Sequence, residues 1–316
     1  MRILITGAAG FVGRHLAERL RAAGHDLVGI EHVCTPAHHE WADRVGLALK
    51  EASVAERESL FAVVASVKPE AVIHLAAVTS VPESLRDPLL AWRVNLTGTI
   101  NVLDAVREHA AAARVLVVTS SEVYGPVPPA EQPITEDHPL RPVTPYAATK
   151  AAADLAAYQY AAGNGLDVVR LRPFNHTGPG QSDRFVCSAF ARQVAEIEKT
   201  GEPGRMMVGN LTPKRDFTDV RDVVRAYELA LEHGEAGGVY NLASGRPRAI
   251  QWVADTLTAA ARVRIDLVHD PERDRPVDLP VVRGSADRFS ALTGWAPQIA
   301  MEQTLADLLD WWREHV

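Results

Sequence analysis

A chain of 316 residues with ordinary apolar and charged fractions can bury a large core and carry one large domain or two. Its formal net charge of −7 argues against general attraction to nucleic acid or to an anionic membrane surface, while local arginines remain able to meet anionic ligands. Two distant cysteines, Cys34 and Cys187, argue against a disulfide framework, and no apolar run reaches the roughly 20 residues of a membrane span, so an intracellular, cytoplasmic chain is expected.

Arg2 to Thr6 is a short apolar run ending at Gly7 and reads as a buried parallel strand. Phe11 to Ala23 has helical periodicity, with Leu16 and Leu20 on one face and Gly24 closing it. Asp26 to Ile30 reads as a second strand. Ala71 to Leu75, Arg114 to Thr119 and Asp167 to Arg172 repeat the pattern of short β-branched runs. Helical stretches, Ser59 to Val67, Leu89 to His109 and Tyr146 to Ala162, lie between them. This alternation predicts an α/β fold, a doubly wound parallel sheet with helices on both faces. After Pro173 the rhythm changes. A strand-helix segment near Asp216 to Leu231 and a strand at Val239 to Ala243 are expected to return to the sheet domain. That assigns residues 1–173 and about 211–243 to the sheet domain, and about 174–210 with 244–316 to a smaller C-terminal lobe. A substrate would sit between the two, above the C-terminal strand ends.

Gly7, Gly10 and Gly13 follow a strand and precede a helix. Glycines so placed let the backbone turn tightly and approach a pyrophosphate, whose charge a helix N-terminus stabilises. Glu31 ends the second strand about 20 residues on, where an acid would take the adenosine ribose hydroxyls and repel a 2′-phosphate. That favours NAD over NADP. A solvated strand-end acid is the alternative, and His32 beside it could turn toward a phosphate instead. His32, Cys34, His38, His39 and Glu40 crowd together but fit no standard ligand spacing, so they read as a polar loop and no metal is expected.

Tyr146 and Lys150 stand four apart and so share one helix face. An ammonium beside a phenol favours its ionised form, so Tyr146 is expected to act as acid or base nearer neutrality than its usual pKa of about 10. The run Val117 to Tyr124 leaves a strand at its C-terminal edge and would aim Ser120, Ser121 and Glu122 into the ligand crevice. An ordinary turn is the alternative for the two serines, and a loop-satisfying acid for Glu122.

Five motifs now occur in order: Thr6-Gly-Ala-Ala-Gly-Phe-Val-Gly13, His74-Leu-Ala-Ala77, Ser120-Ser-Glu-Val-Tyr-Gly125, Tyr146-Ala-Ala-Thr-Lys150 and Arg172-Pro-Phe-Asn175. Together they resemble the extended short-chain dehydrogenases/reductases of the nucleotide-sugar branch along essentially the whole chain. Phe174-Asn-His-Thr-Gly-Pro-Gly-Gln181, Val208-Gly-Asn-Leu211, Arg215-Asp-Phe-Thr-Asp-Val220, Arg275-Pro-Val-Asp278 and Thr293-Gly-Trp295 are similar to the group of GDP-4-keto-6-deoxy-D-mannose reductases. Parts are shared with GDP-mannose 4,6-dehydratases.

The resemblance implies a nucleotide-diphosphate sugar as substrate and a set of roles. Gly7, Gly10, Phe11, Val12 and Gly13 would hold the pyrophosphate. Glu31 and His32 would meet the adenosine ribose. Ser53 and Val54 would lie beside adenine, with Ser53 where an acid is usual. Leu75, Ala76, Ala77 and Pro173 would line the cofactor, and Lys150 would also bind the nicotinamide ribose. Ser80, Ser121, Asn175, Arg215 and Arg275 would meet the substrate, arginine being suited to phosphate by its bidentate fork. Ser120, Tyr146, Lys150 and Glu122 would carry the chemistry. Two departures stand out: Glu31 resembles NAD-bound epimerases, and Glu122-Val123 is also seen in dehydratases and decarboxylases.

Three activities at hexose C4 follow. The first is reduction of a 4-keto-6-deoxyhexose by NAD(P)H, with Tyr146 protonating the oxygen. The second is 4-epimerisation with tightly held NAD. The third is 4,6-dehydration with Glu122 as base. A catalytically dead dinucleotide sensor would be expected to have lost the Tyr-Lys pair, which this chain keeps. The Ala-rich helix after Tyr146, set against the helix Leu89 to His109, predicts a homodimer; packing of those alanines inside the domain is the alternative.

Overall fold

The computed structural model describes residues 1–274 and 279–316. Its centre is a sheet of seven strands: β1 (Arg2–Thr6), β2 (Asp26–Glu31), β3 (Ala48–Glu51), β4 (Ala71–His74), β5 (Arg114–Val118), β6 (Val168–Pro173) and β10 (Val239–Leu242). Their order is β10-β6-β5-β4-β1-β2-β3, and every pairing is parallel. The chain therefore runs from β1 outward to β3, then returns to the other side of β1 at β4. That reversal opens a crevice at the C-terminal ends of β1 and β4.

Alternation along the strands decides which face each residue serves. Ile3, Ile5, Ile73, Leu116 and Leu171 pack on one side with α1 (Phe11–Ala22) and its neighbours. Leu4, Val72, Val115, Val117 and Val168 pack on the other. That second side is covered by α3 (Arg57–Val67), the helical run of residues 88–109 and α7 (Pro145–Asn164). Both faces are buried, which is why the strands read as continuous apolar runs.

The segment after β2 differs from expectation. The polar segment after β2 forms α2 (Pro36–Val45) rather than a loop. Thr35 caps it through the His38 N–H at 3.2 Å, Pro36 opens it, and Gly46 closes it in the left-handed region. A short edge strand, β3, follows. α4 (Val81–Arg86) comes next. The run 88–109 is one helix containing α5 (Pro88–Trp92) and α6 (Gly98–His109), joined by a π turn at Arg93–Thr97.

Beyond β6, β7 (Asn175–Thr177) leads into α8 (Val186–Thr200), β8 (Gly204–Val208) and β9 (Lys214–Asp219). β9 does not return to the main sheet. It pairs with β7 in parallel and with β11 (Pro247–Ala249) antiparallel. The following α9 (Val220–His233) does return, packing Val223, Val224 and Tyr227 into the core beside α1. α10 (Ile250–Ala259), β12 (Ile265–His269), α11 (Asp287–Thr293) and α12 (Met301–His315) complete the chain, with β12 beside β8. A separate apolar core of Phe190, Val194, Met206, Val253, Leu305 and Leu308 holds this region together. Each such buried side chain contributes about 1.5–3 kcal/mol.

Candidate active site

The turn after β1 is packed as tightly as a backbone allows. Gly7 adopts φ +73°, and a Cβ there would stand 3.0 Å from the Ala76 nitrogen. A Cβ on Gly13 would stand 2.3 Å from the Gly7 oxygen. The two glycines let the loop close onto the 75–77 turn, where Leu75 N–H donates to Thr6 O and Ala76 N–H to Thr6 Oγ1. α1 then begins at Phe11 with Gly10 as N-cap, no side-chain cap and no acid in its first turn. The N–H groups of Phe11, Val12 and Gly13 thus meet no side-chain competitor, the condition for receiving an anionic group. Glu31 accepts the Ala9 N–H at 2.6 Å, which places its carboxylate against this same loop. His32 beyond it is exposed. Ala52 N–H donates to Glu31 O, bringing Ser53 and Val54 to the same edge. The Ser53 hydroxyl accepts the Ala55 N–H at 3.2 Å, and Val54 is buried against Gly98.

At the end of β5, Ser120 starts a 3-10 turn over Ser121–Tyr124, its hydroxyl accepting the Glu122 N–H at 3.2 Å. Facing it is the first turn of α7. Thr144 caps that helix through Ala147 N–H, Pro145 opens it, and Ser84 of α4 accepts the Tyr146 N–H at 3.1 Å. Tyr146, Lys150 and Ser120 are all buried, and the Ser120 hydroxyl is near enough to the Tyr146 phenol to favour its ionised form. Lys150 Nζ donates to Val118 O at 3.0 Å, so the ammonium rests on the strand that presents Ser120. Glu122 is exposed at the turn, with its charge acting on Tyr146. Pro173 ends β6 beside these residues, two strands from β4.

The electrostatics correct the expectation of an acidified phenol. Burial pushes Tyr146 up to about 12; the Ser120 hydroxyl pulls it down only in part, and the Glu122 charge raises it. Burial pushes Lys150 down to about 8. Helical spacing correctly predicts that the two share a face, but it carries no information about desolvation, which is the larger effect here. At neutral pH the phenol keeps its proton.

The family model for GDP-mannose 4,6 dehydratase matches residues 4–308. The chain belongs to that family. It is an extended short-chain dehydrogenase/reductase of the nucleotide-sugar branch, and its relatives are enzymes. It is 39% identical to the GDP-6-deoxy-D-mannose reductase of Pseudomonas aeruginosa over 315 residues, covering 100% of this chain and 98% of that one. The solved structure of RMD from Pseudomonas aeruginosa complexed with NADPH matches with TM-score 0.86 at 37% identity, over 100% of this chain and 99% of that one. The Thermus thermophilus UDP-glucose 4-epimerase complex with NAD matches with TM-score 0.87 at 30% identity, over 100% of both chains.

Four of the remaining expected residues, Ser80, Ser121, Asn175 and Arg215, fall on separate elements. Ser80 is buried as the N-cap of α4, and Ser121 is half-buried in the 3-10 turn. Asn175 is exposed on β7, paired with Phe217 of β9. Arg215 on β9 donates to Leu279 O at 2.7 Å. Arg275 lies outside the described residues. A depression is lined by Val208, Asn210, Leu211, Gln251, His269 and Asp274.

Several residues at the site escape sequence reasoning. The π turn directs Asn95 inward, where its Oδ1 accepts Val78 N–H at 2.7 Å and its Nδ2 donates to Thr149 Oγ1 at 2.9 Å. Thr149 in turn donates to Tyr146 O at 2.7 Å. His74 lies between Thr6 Oγ1 at 2.8 Å and Thr99 Oγ1 at 3.0 Å. Burial first, then the Lys150 charge, pushes His74 down to about 3, so it is neutral. Thr99 gives its proton to Asn95 O at 2.6 Å, which makes Nε2 the protonated nitrogen of His74 and Nδ1 the acceptor for Thr6. In the sequence Asn95 falls inside the stretch Leu89 to His109 that reads as one helix, and nothing there distinguishes it from the second asparagine, Asn101.

Proposed function

We propose that this chain is an NAD(P)H-dependent nucleotide-sugar reductase acting at hexose C4, of the GDP-4-keto-6-deoxymannose type. One observation carries the reading: a buried, protonated Tyr146 beside the buried Ser120 hydroxyl at the strand ends of a dinucleotide-type crevice. A ketone reduction starts from a protonated phenol, which is the state burial enforces here.

The turn tests well against a dinucleotide. The space beside Gly7 and Gly13 is too close for any side chain, and the first-turn N–H groups of α1 lack caps, as a pyrophosphate requires. Gly7, Gly10, Phe11, Val12 and Gly13 would hold that pyrophosphate. Glu31, His32, Ser53 and Val54 would lie at the adenosine end. Leu75, Ala76, Ala77, Pro173 and Lys150 would line the nicotinamide end. When bound, the reduced nicotinamide supplies a hydride.

The protein's own residues do the rest. Ser120 holds the sugar oxygen in place, and Tyr146 gives it a proton. Lys150 keeps positive charge beside the phenolate that forms. Asn175, Arg215, Ser80 and Ser121 would meet the substrate, a role the motif resemblance also gives Arg275. The depression beside Asn210 and Gln251 takes the nucleotide base. Glu122 stands at the mouth of the site. A nucleotide-diphosphate sugar and a second copy of the chain are the partners; the chain works in the cytoplasm.

Leu85, Leu89, Leu155 and Tyr158 expose apolar surface on α4, α5 and α7, which supports a homodimer through these helices. Light scattering at micromolar concentration checks that reading, a monomer counting against it.

A second reading, 4-epimerisation with retained NAD, has one observation in its favour. The Glu31 carboxylate against the glycine loop disfavours a 2′-phosphate, whereas the related reductase was solved with NADPH. An epimerase, however, begins from an ionised phenol and needs further positive charge beside Tyr146 to reach it. Purified protein incubated with GDP-4-keto-6-deoxymannose and NADH or NADPH decides the matter. Oxidation of the reductant supports the reductase. Interconversion of C4 epimers of an intact nucleotide sugar without reductant overturns it in favour of the epimerase.

A further inference from the structure

One carboxylate ties the helix bearing Tyr146 and Lys150 to the strand end bearing Ser120 and to β6. Asp154 is fully buried on α7, one turn beyond Lys150 and two beyond Tyr146, on the same side of the helix. Four donors converge on it. Arg172 gives it a two-pronged contact, Nε to Oδ2 and Nη2 to Oδ1, both at 2.8 Å. Arg170 Nη1 donates to Oδ1 at 2.9 Å. The fourth donor is Thr119, the residue before Ser120, whose hydroxyl lies 3.2 Å from Oδ2 and 3.1 Å from Leu171 O. Arg172 continues outward, its Nη1 donating to the Tyr124 hydroxyl at 2.9 Å. Tyr124 closes the 3-10 turn that begins at Ser121 and donates to Asn241 Oδ1 at 2.7 Å.

The arrangement is out of proportion to any need for stability. Buried ion pairs of this kind often contribute no more than a well-packed apolar cluster of the same volume. What they do supply is direction: the bidentate fork and the four-donor set allow one mutual placement of the groups they join. The groups joined here are the helix bearing Tyr146 and Lys150, the strand end bearing Ser120, and the turn bearing Glu122.

We propose that Asp154 is a positioning residue, which through Thr119 and Arg172 fixes the placement of Ser120 relative to Tyr146. Resting on the oxidoreductase reading for its kinetic consequence, the inference also makes a structural claim that stands without turnover. Asp154→Asn keeps the shape and removes the charge. Thr119→Val removes the hydroxyl that reaches Asp154 and Leu171 O while leaving the arginine contacts of Asp154 in place, so it carries the test alone if Asp154→Asn does not fold.

Two measurements decide. In a double-mutant cycle on kcat, Ser120→Ala costs about tenfold in the otherwise natural chain and under about threefold when Asp154→Asn or Thr119→Val is already present. In cofactor-free protein carrying 13C at tyrosine Cζ, the Tyr146 signal, assigned by its loss in Tyr146→Phe, moves in both variants toward its position in Ser120→Ala. Costs that simply multiply, together with a Tyr146 signal unmoved from its natural position, overturn the proposal. A chain that reduces no 4-keto nucleotide sugar would sink the oxidoreductase reading alone; the tyrosine signal would still decide the placement of Ser120.

Discussion

Replacing Lys150 by Met converts a buried ammonium into an apolar side chain of similar length, and the effect should depend on pH in a defined window. Burial lowers Lys150 from its usual 10.5 to about 8. Between those values the unfolded chain holds a proton that the folded chain does not, so stability rises with pH across the window. Below pH 8 the cost of burying the charge is fully in place and constant. The gap, at about 1.36 kcal/mol per pH unit, amounts to roughly 3 kcal/mol. Lys150→Met has no such proton. The unfolding free energy of the natural chain, measured against that of Lys150→Met, should therefore rise by about 3 kcal/mol between pH 7 and pH 10.5. The sign of the difference at any one pH also reflects the Val118 carbonyl left without a donor in the variant, worth about 1–3 kcal/mol. That contribution does not titrate, so the slope isolates the ammonium. Tyr146 and Tyr124, both pushed up to about 12 by burial, lower the stability of both proteins above pH 10 and cancel in the difference. Urea titrations followed by tryptophan fluorescence at several pH values suffice. A difference that stays flat from pH 7 to 10.5 would refute the claim that burial dominates at Lys150.

Three further outcomes are expected. In steady-state assays of ketone reduction, kcat/KM falls about tenfold per pH unit above pH 8 as Lys150 loses its proton, a limb that Lys150→Met lacks. Tyr146→Phe lowers kcat by about 10²–10⁴ while the dissociation constant for NADH, read by fluorescence, changes less than about threefold. Glu31→Ser removes the carboxylate from the Ala9 N–H and shifts the NADPH-to-NADH ratio of kcat/KM by about tenfold toward NADPH; an unchanged ratio places the ribose away from Glu31.

The sheet was legible because parallel strands buried on both faces must be apolar along their length, as Arg2–Thr6 and Ala71–His74 are. The glycine turn, Ser120, Tyr146 and Lys150 were legible because chemistry restricts both their identity and their spacing. α2 was obscured by its composition: histidines and a glutamate read as a polar loop, and its decisive signals, Thr35 and Pro36, mark only a boundary. β9 carries a strand pattern, but nothing in that pattern names its partner, so its pairing with β7 and β11 emerges only in three dimensions. Tyr146 shows the deepest limit. Its neighbours along the helix can be listed from the sequence, yet its protonation depends on how much water the fold removes. Asp154 and Arg172 are joined only by the placement of α7 against β6, which no local pattern encodes.

The π turn at Arg93–Thr97 couples two regions that otherwise have no contact in sequence logic. A helix advances about 100° per residue, so the one additional residue accommodated there rotates everything on its N-terminal side relative to everything beyond it. Asn95 faces the tyrosine helix, and Leu89 faces outward, only while that phase offset is kept. A single-residue deletion in this stretch would swing the outward apolar face around the helix axis and withdraw the inward amide in the same event. The segment therefore tolerates exchange of side chains far better than any change of length.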